Sequence, residues 1–253
     1  MTETELQQSK FLDVVIRQGM YSNQKNLANH LKFFFGNFAF KGKRVLDVGG
    51  GRGILALWAA ASGAQLAVCL EPEADGGASD MNTSFEKLRN SIEIGAERVV
   101  LMSTTFQEFS SAEKFDIIIL SNSINHLNEP ATVKLTSDQC CWDEYLSYFR
   151  KMSNLLNAGG RVILTDCDKS NFFSDLGLKS PFMPEIEWEK HQSPKTWRSI
   201  MKEAGFHDLT IDWSTPNRLG ALGRWALSNR FVAYLLLSHF KLEGTKRAST
   251  ADR

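Results

Sequence analysis

The spacing of apolar positions changes along the chain, and each change predicts a different kind of element. Leu27, Leu31, Phe34, Phe35 and Phe38 recur at helical intervals, so residues 1–40 read as amphipathic helices forming an N-terminal helical cap. From Arg44 the apolar residues come in short runs: Val45-Leu46-Asp47-Val48, Leu66–Leu70, Arg98–Met102 and Phe115–Leu120. Runs of this length suit strands buried on both faces. With helical stretches between them, one at Thr83–Ile94, they make the alternation of a parallel sheet.

Further on, Trp142, Tyr145, Leu146, Phe149, Met152, Leu155 and Leu156 form the stripe of a long helix. Asn157-Ala158-Gly159-Gly160 is expected to end it as glycine C-caps do, with a fifth strand at Arg161–Thr165. Ser193-Pro194 reads as an N-cap followed by proline in the first helical position, opening a helix that ends by Gly205. Leu209–Trp213 and Phe231–Leu237 read as two more strands joined by a helix near Leu219–Ser228, and residues 241–253 as a polar tail. Between Asp166 and Gln192 lies a long connector carrying Asn171, Phe172, Phe173, Phe182, Trp188 and His191. Connectors of that length are commonly binding loops, so two readings stand: a cover over a substrate, or a surface insertion whose aromatics pack on the sheet.

Length and charge narrow the picture. A chain of 253 residues suits one α/β domain, with residues 41–240 as its core, and would cramp a second. Lys plus Arg and Asp plus Glu both number 29, with no long run of one sign, so no nucleic-acid partner is expected. The four cysteines, at 69, 140, 141 and 167, have neither a C-x-x-C pair nor zinc spacing and read as reduced thiols. Residues 1–10 lack an apolar h-region, and the uncharged stretch Gly53–Leu70 is interrupted by Ser62, Gly63 and Gln65. A cytoplasmic protein with no membrane span is the expectation.

The most informative chemistry lies in Asp47-Val48-Gly49-Gly50-Gly51-Arg52-Gly53, a strand end running into a glycine turn. Such a turn lets the backbone come close to a ligand where a side chain would collide. Glu71 closes the next apolar run, and an acid at the end of that strand can accept hydrogen bonds from both ribose hydroxyls. Two acids and a glycine turn make a nucleoside site. The dinucleotide fingerprint G-x-G-x-x-G competes for the same residues, but its third glycine would fall at Ile54.

The G-x-G-x-G triplet with Asp47 before it resembles motif I of the class I S-adenosylmethionine-dependent methyltransferases, and "LLNAGGRVILTD" is similar to that family's junction before the fifth strand. The resemblance covers about residues 41–240. It implies a Rossmann-like, seven-stranded, mostly parallel sheet with an antiparallel last strand and helices on both faces. It further implies S-adenosyl-L-methionine as cofactor, held by Asp47, Gly49, Gly50, Gly51, Gly53, Glu71, Pro72, Thr105, Phe106, Ser121 and Asn122. One departure is that Ser103-Thr104-Thr105-Phe106-Gln107 occupies the place where many members carry an acid for the adenine amino group.

Methyl transfer to a hydroxyl needs a proton removed, and histidine suits that near neutral pH. His126, in the loop after the fourth strand, is the first candidate base, and His191, in the long connector, is the second. Packing or helix capping is the alternative for each. Asp166 and Asp168 either cap the fifth strand or hold a divalent cation, and no metal is assigned. The acceptor is expected to be a small polar molecule, methylated on a hydroxyl of a sugar or glycan precursor. The segments around "HQSPKTW" and "SNRFVAYLLLSHF" look loosely like bacterial glycan-cluster methyltransferases. An NAD-type oxidoreductase and a non-catalytic cofactor-binding member of the family are the rivals.

Overall fold

The computed structural model describes residues 2–72, 79–214 and 227–247. Two helices lead. α1 (Glu3–Arg17) starts in a capping box between Thr2 and Glu5 and buries Phe11, Val14 and Val15. α2 (Gln24–Phe35) is capped by the Asn23 side chain and buries Leu27, Leu31, Phe34 and Phe35, the stripe predicted from spacing.

Seven strands form one mixed sheet: β1 (Arg44–Val48), β2 (Leu66–Leu70), β3 (Val99–Met102), β4 (Phe115–Ser121), β5 (Leu156–Cys167), β6 (Phe206–Trp213) and β7 (His239–Lys246), in the order β3-β2-β1-β4-β5-β7-β6. The chain divides into two compact units, residues 1–120 and 121–253. In the first, β1 pairs in parallel with β2 and β4, and β2 with β3. That register sets Asp47 across from Cys69 on one side and Ile119 on the other. α3 (Ile54–Ala61) follows the glycine turn and is buried over most of its length, and α4 (Ser79–Ile92) precedes β3.

In the second unit β7 runs antiparallel to both β5 and β6 and lies between them. α5 (Glu129–Lys134) and α6 (Gln139–Leu155) precede β5. The connector holds a short helix, α7 (Phe172–Asp175), and a 3-10 turn at Trp188–Lys190. α8 (Pro194–Glu203) begins as predicted, with the Ser193 hydroxyl accepting from the Thr196 N–H.

The structure corrects three expectations. Phe231–Leu237 is not a strand; α9 (Arg230–Leu235) occupies most of it, nucleated by the Asn229 side chain accepting from the Val232 N–H. The last strand is β7, so residues 241–246 belong to the sheet and not to a polar tail. Its polar character is absorbed by charge pairing: Lys241 is buried with Asp212 at 3.2 Å, and Arg161 meets Glu243 at 3.0 Å. Nor do the glycines at 159 and 160 cap α6. The helix stops at Leu155, Leu156 is already extended, and the glycines lie inside β5. Residues 219–226 of the helix expected before α9, and the end of the predicted tail from 248, lie outside the described residues. Among the described residues no helix is long and apolar enough to cross a membrane.

Candidate active site

In the first unit the chemistry gathers where β1 and β2 end. Asp47 is wholly buried, and among the described residues neither carboxylate oxygen completes a hydrogen bond. Burial pushes its carboxyl up to about 7; the nearby Ala56 N–H opposes this in part, and the charge of Glu71 adds to it. Beside it the Cys69 thiol is held well above its usual range, first by burial and then by the two acids.

The turn after Asp47 is pinned to β2. The Gly49 and Gly50 N–H groups donate to the Leu70 carbonyl at 2.8 and 3.2 Å, and the Gly51 N–H donates to Glu71 Oε2 at 2.7 Å. Gly50 is required by packing, since a Cβ there would come within 2.5 Å of Cys69 Sγ and 2.6 Å of Asp47 Oδ2. Gly51 is the opposite case: its φ is +55° and no described residue lies within 4 Å of where its Cβ would stand. Among the described residues the turn is thus closed toward the core and open at Gly51.

Three further residues expected at the cofactor lie in this unit. Pro72 is half-buried directly after Glu71. The Thr105 hydroxyl donates to Glu108 Oε2 at 2.8 Å and caps its own turn. Phe106 is 2% exposed, so its ring is core and offers almost no free face.

The second unit carries the other candidates. Ser121 Oγ lies 3.4 Å from Thr165 Oγ1. Asn122 sits in the left-handed region at φ 53°, donates its N–H to the Thr165 carbonyl and meets His239 Nε2 through Oδ1 at 3.0 Å. His126 lies on a 3-10 turn with 59% of its side chain exposed, and its Nδ1 is 2.6 Å from Glu129 Oε1. His126 and Lys190 together hold the Glu129 carboxyl below its usual range.

His191 is built differently. Its side chain is 14% exposed and its Nδ1 lies 2.8 Å from Asp166 Oδ1, a carboxylate with no exposure at all. Asp166 Oδ1 also accepts the Cys167 N–H, while Oδ2 has no partner among the described residues. Gln192 continues the anchoring by donating to the Thr132 carbonyl at 2.7 Å. This pairing was not foreseen from the sequence, although a signal existed: a buried acid at a strand end must find a donor, and His191 is the histidine of the loop that follows. Asp168, two residues on, accepts from the Ser170 N–H. Among the described residues no group of three or more His, Cys, Asp or Glu side chains converges as a metal site.

The residues of the first unit fit a nucleoside cofactor bearing a positive charge. A buried carboxylate that completes no hydrogen bond among the described residues, a second acid at the strand end and a backbone turn with room at Gly51 supply the acceptors and space such a group needs.

Residues 21–211 match a family model described as a methyltransferase domain. Among solved structures, an S-adenosylmethionine-dependent methyltransferase from Mesorhizobium loti aligns with TM-score 0.57 and 13% identity over 86% of this chain and 96% of its own. An O-methyltransferase family protein from Burkholderia thailandensis aligns with TM-score 0.57 and 13% identity over 96% of this chain and 60% of its own. The [4+2]-cyclase SpnF aligns with TM-score 0.57 and 15% identity over 90% of this chain and 82% of its own. At these identities the likeness is one of fold.

Proposed function

The chain belongs to the methyltransferase domain family, and from that premise we propose that it transfers a methyl group from S-adenosylmethionine to a hydroxyl of a small polar acceptor, a sugar or glycan precursor. The observation that carries the cofactor assignment is Asp47, a fully buried carboxylate whose oxygens complete no hydrogen bond among the described residues, two positions before the glycine turn. S-adenosylmethionine, when bound, supplies a methyl group on a positively charged sulfur. Asp47 complements positive charge, Glu71 accepts from ribose hydroxyls, and the turn at Gly49–Gly53 admits the ligand without side-chain collision. Pro72, Thr105, Ser121 and Asn122 are the further candidates for holding it, whereas the sequence-based choice of Phe106 is set aside because its ring is buried in the core.

The base is His191, with His126 as the second candidate. An ionised Asp166 can only accept, so Nδ1 of His191 carries its proton toward Asp166 and Nε2 keeps a lone pair for the acceptor hydroxyl. Asp166 is a positioning residue here: it fixes the tautomer and stabilises the imidazolium that forms. His126 has the same residue type but an exposed partner in Glu129, which favours a capping role. The free cysteines fit a reducing compartment such as the cytoplasm.

Because a cyclase shares this fold, the fold alone does not set the reaction. Calorimetry with S-adenosylhomocysteine and with NAD tests the cofactor half. Saturable binding of the former alone supports the reading; binding of NAD alone would return the turn to the oxidoreductases.

A further inference from the structure

Within the second unit, a cleft of about 470 Å³ opens beyond the end of β5, lined by Asp168, Trp213, Arg230, Phe231, Tyr234 and neighbouring serines. Its volume lies in the range of small-molecule sites. Three features mark it as built for a ligand.

The first is Asp168. It is 4% exposed, lines the cleft, and uses only Oδ1, which accepts from Ser170; no described residue bonds Oδ2. Burial raises its carboxyl, so the environment disfavours the bare charge and a donor from a ligand would relieve it. The second is the state of the other polar groups. The Asp175 Oδ2 accepts from both the Ser170 and Tyr234 hydroxyls at 3.0 Å, which leaves those hydroxyl oxygens with lone pairs to accept with. Arg230, exposed on α9, acts on Asp168 through its charge and supplies donors at the cleft. The third is the aromatic wall. Phe231 is 70% exposed, and Tyr234 is held edge-on by Phe172 with centroids 6.3 Å apart.

We propose that this cleft is the acceptor site and that it binds a neutral sugar ring, a reading that rests on the methyltransferase assignment above. A pyranose carries C–H bonds on its faces and hydroxyls around its edge. The C–H faces suit the electron-rich faces of Trp213, Phe231 and Tyr234. The hydroxyls both donate and accept, which is what Asp168, Ser170, Tyr234 and Arg230 jointly require. A purely apolar ring would leave Asp168 Oδ2 unsatisfied. An anionic ligand would meet two carboxylates, Asp168 and Asp175, that already offset the charges of Arg230 and Lys169. The location agrees with the proposed base, because Asp166, which holds His191, lies at the end of β5 and Asp168 follows just past that end.

The test is titration of the full chain with methyl glucoside, methyl mannoside, methyl galactoside and N-acetylglucosamine, followed by calorimetry and tryptophan fluorescence. S-adenosylhomocysteine is titrated separately into the same preparation. At least one sugar should bind saturably, and Asp168→Asn and Trp213→Ala should each weaken it about tenfold or more. Arg230→Ala and Phe231→Ser change exposed side chains, so they keep the test valid if the buried variants unfold; each should weaken sugar binding while thermal unfolding stays put. Cofactor-product binding with no sugar binding overturns the acceptor site and leaves the methyltransferase reading intact. Sugar binding that ignores all four substitutions also overturns it. Sugar binding that follows the substitutions, in a protein that binds no cofactor product, supports the cleft as a sugar site and overturns methyl transfer.

Discussion

Asp166 Oδ1 stands 2.8 Å from His191 Nδ1, across 25 residues of chain. Only a buried carboxylate at the end of β5 and a connector that returns to it produce that contact, and the connector's return is fixed again at Gln192. His191→Ala should therefore lower kcat about a hundredfold or more, the scale of a lost general base, with S-adenosylhomocysteine affinity retained. Asp166→Asn should lower kcat at least about tenfold, since an amide permits the wrong tautomer. His126→Ala should stay within about threefold, as its partner Glu129 is a surface group. If the His126 variant loses more activity than the His191 variant in steady-state kinetics, the assignment of the base reverses.

Asp47 makes stability depend on pH in an unusual direction. Its carboxyl is raised from an ordinary 3.8 to about 7. Between those values the folded chain keeps a proton that the unfolded chain has lost, so stability falls as pH rises from about 4 to about 7, and the loss is complete above that. At most it is on the order of 4 kcal/mol. Asp47→Asn should accordingly raise the melting temperature of the unliganded protein at pH 8 and leave it nearly unchanged at pH 4. The same substitution should weaken binding of the positively charged cofactor more than binding of its neutral-sulfur product. Equal melting curves for both proteins at pH 8 would show that the carboxylate is hydrated.

Much of this unit was legible in the sequence because its signals are local. Asp47, the glycines and Glu71 sit at strand ends that short apolar runs define, and β1 to β4 follow from those runs. The second unit was harder. Phe231–Leu237 is a short apolar run whose period cannot separate strand from buried helix, and the deciding contact is one capping bond from Asn229. β7 was hidden because Lys241 and Glu243 are charged, and only tertiary pairing with Asp212 and Arg161 makes them sheet residues. The pairing of Asp166 with His191 likewise depends on where a loop returns, which no periodicity encodes.

Glu71 Oε2 accepts the Gly51 N–H, and the proposed ribose contact would add a second role at the same turn. Glu71→Ala should weaken S-adenosylhomocysteine binding roughly ten- to a hundredfold by calorimetry, because charge-assisted bonds to ribose hydroxyls are worth about 1.5–3 kcal/mol. Glu71→Gln should recover part of that loss. If both variants bind like the parent, the end of β2 does not hold the ribose.

Gly53 is constrained twice, by a φ of +71° and by the Phe85 ring, which a Cβ would approach to 2.4 Å. Gly53→Ala should destabilise the chain by about 2–4 kcal/mol in urea unfolding, combining left-handed strain with overpacking. Adding Phe85→Leu should restore part of this and leave about 1 kcal/mol of backbone strain. Full recovery in the double variant would mean that φ relaxes at no cost.

Asn171 ties the connector to the turn before β7. Its side chain is fully buried, and its amide donates to the Tyr234 and Leu236 carbonyls and to Ser238 Oγ, while its oxygen accepts the Phe173 N–H. Asn171→Ala leaves these buried groups without their partner, at a cost of about 1–3 kcal/mol for each one that water cannot reach. The loss should be concentrated in the connector, because α8 has its own cap at Ser193 and packs independently of Asn171. Limited proteolysis should then cut the variant within residues 172–187 much faster than the parent, with the rest of the chain still protected. A variant cut at the same rate as the parent would show that the aromatic contact between Phe173 and Phe182, with centroids 6.1 Å apart, holds the connector without the amide.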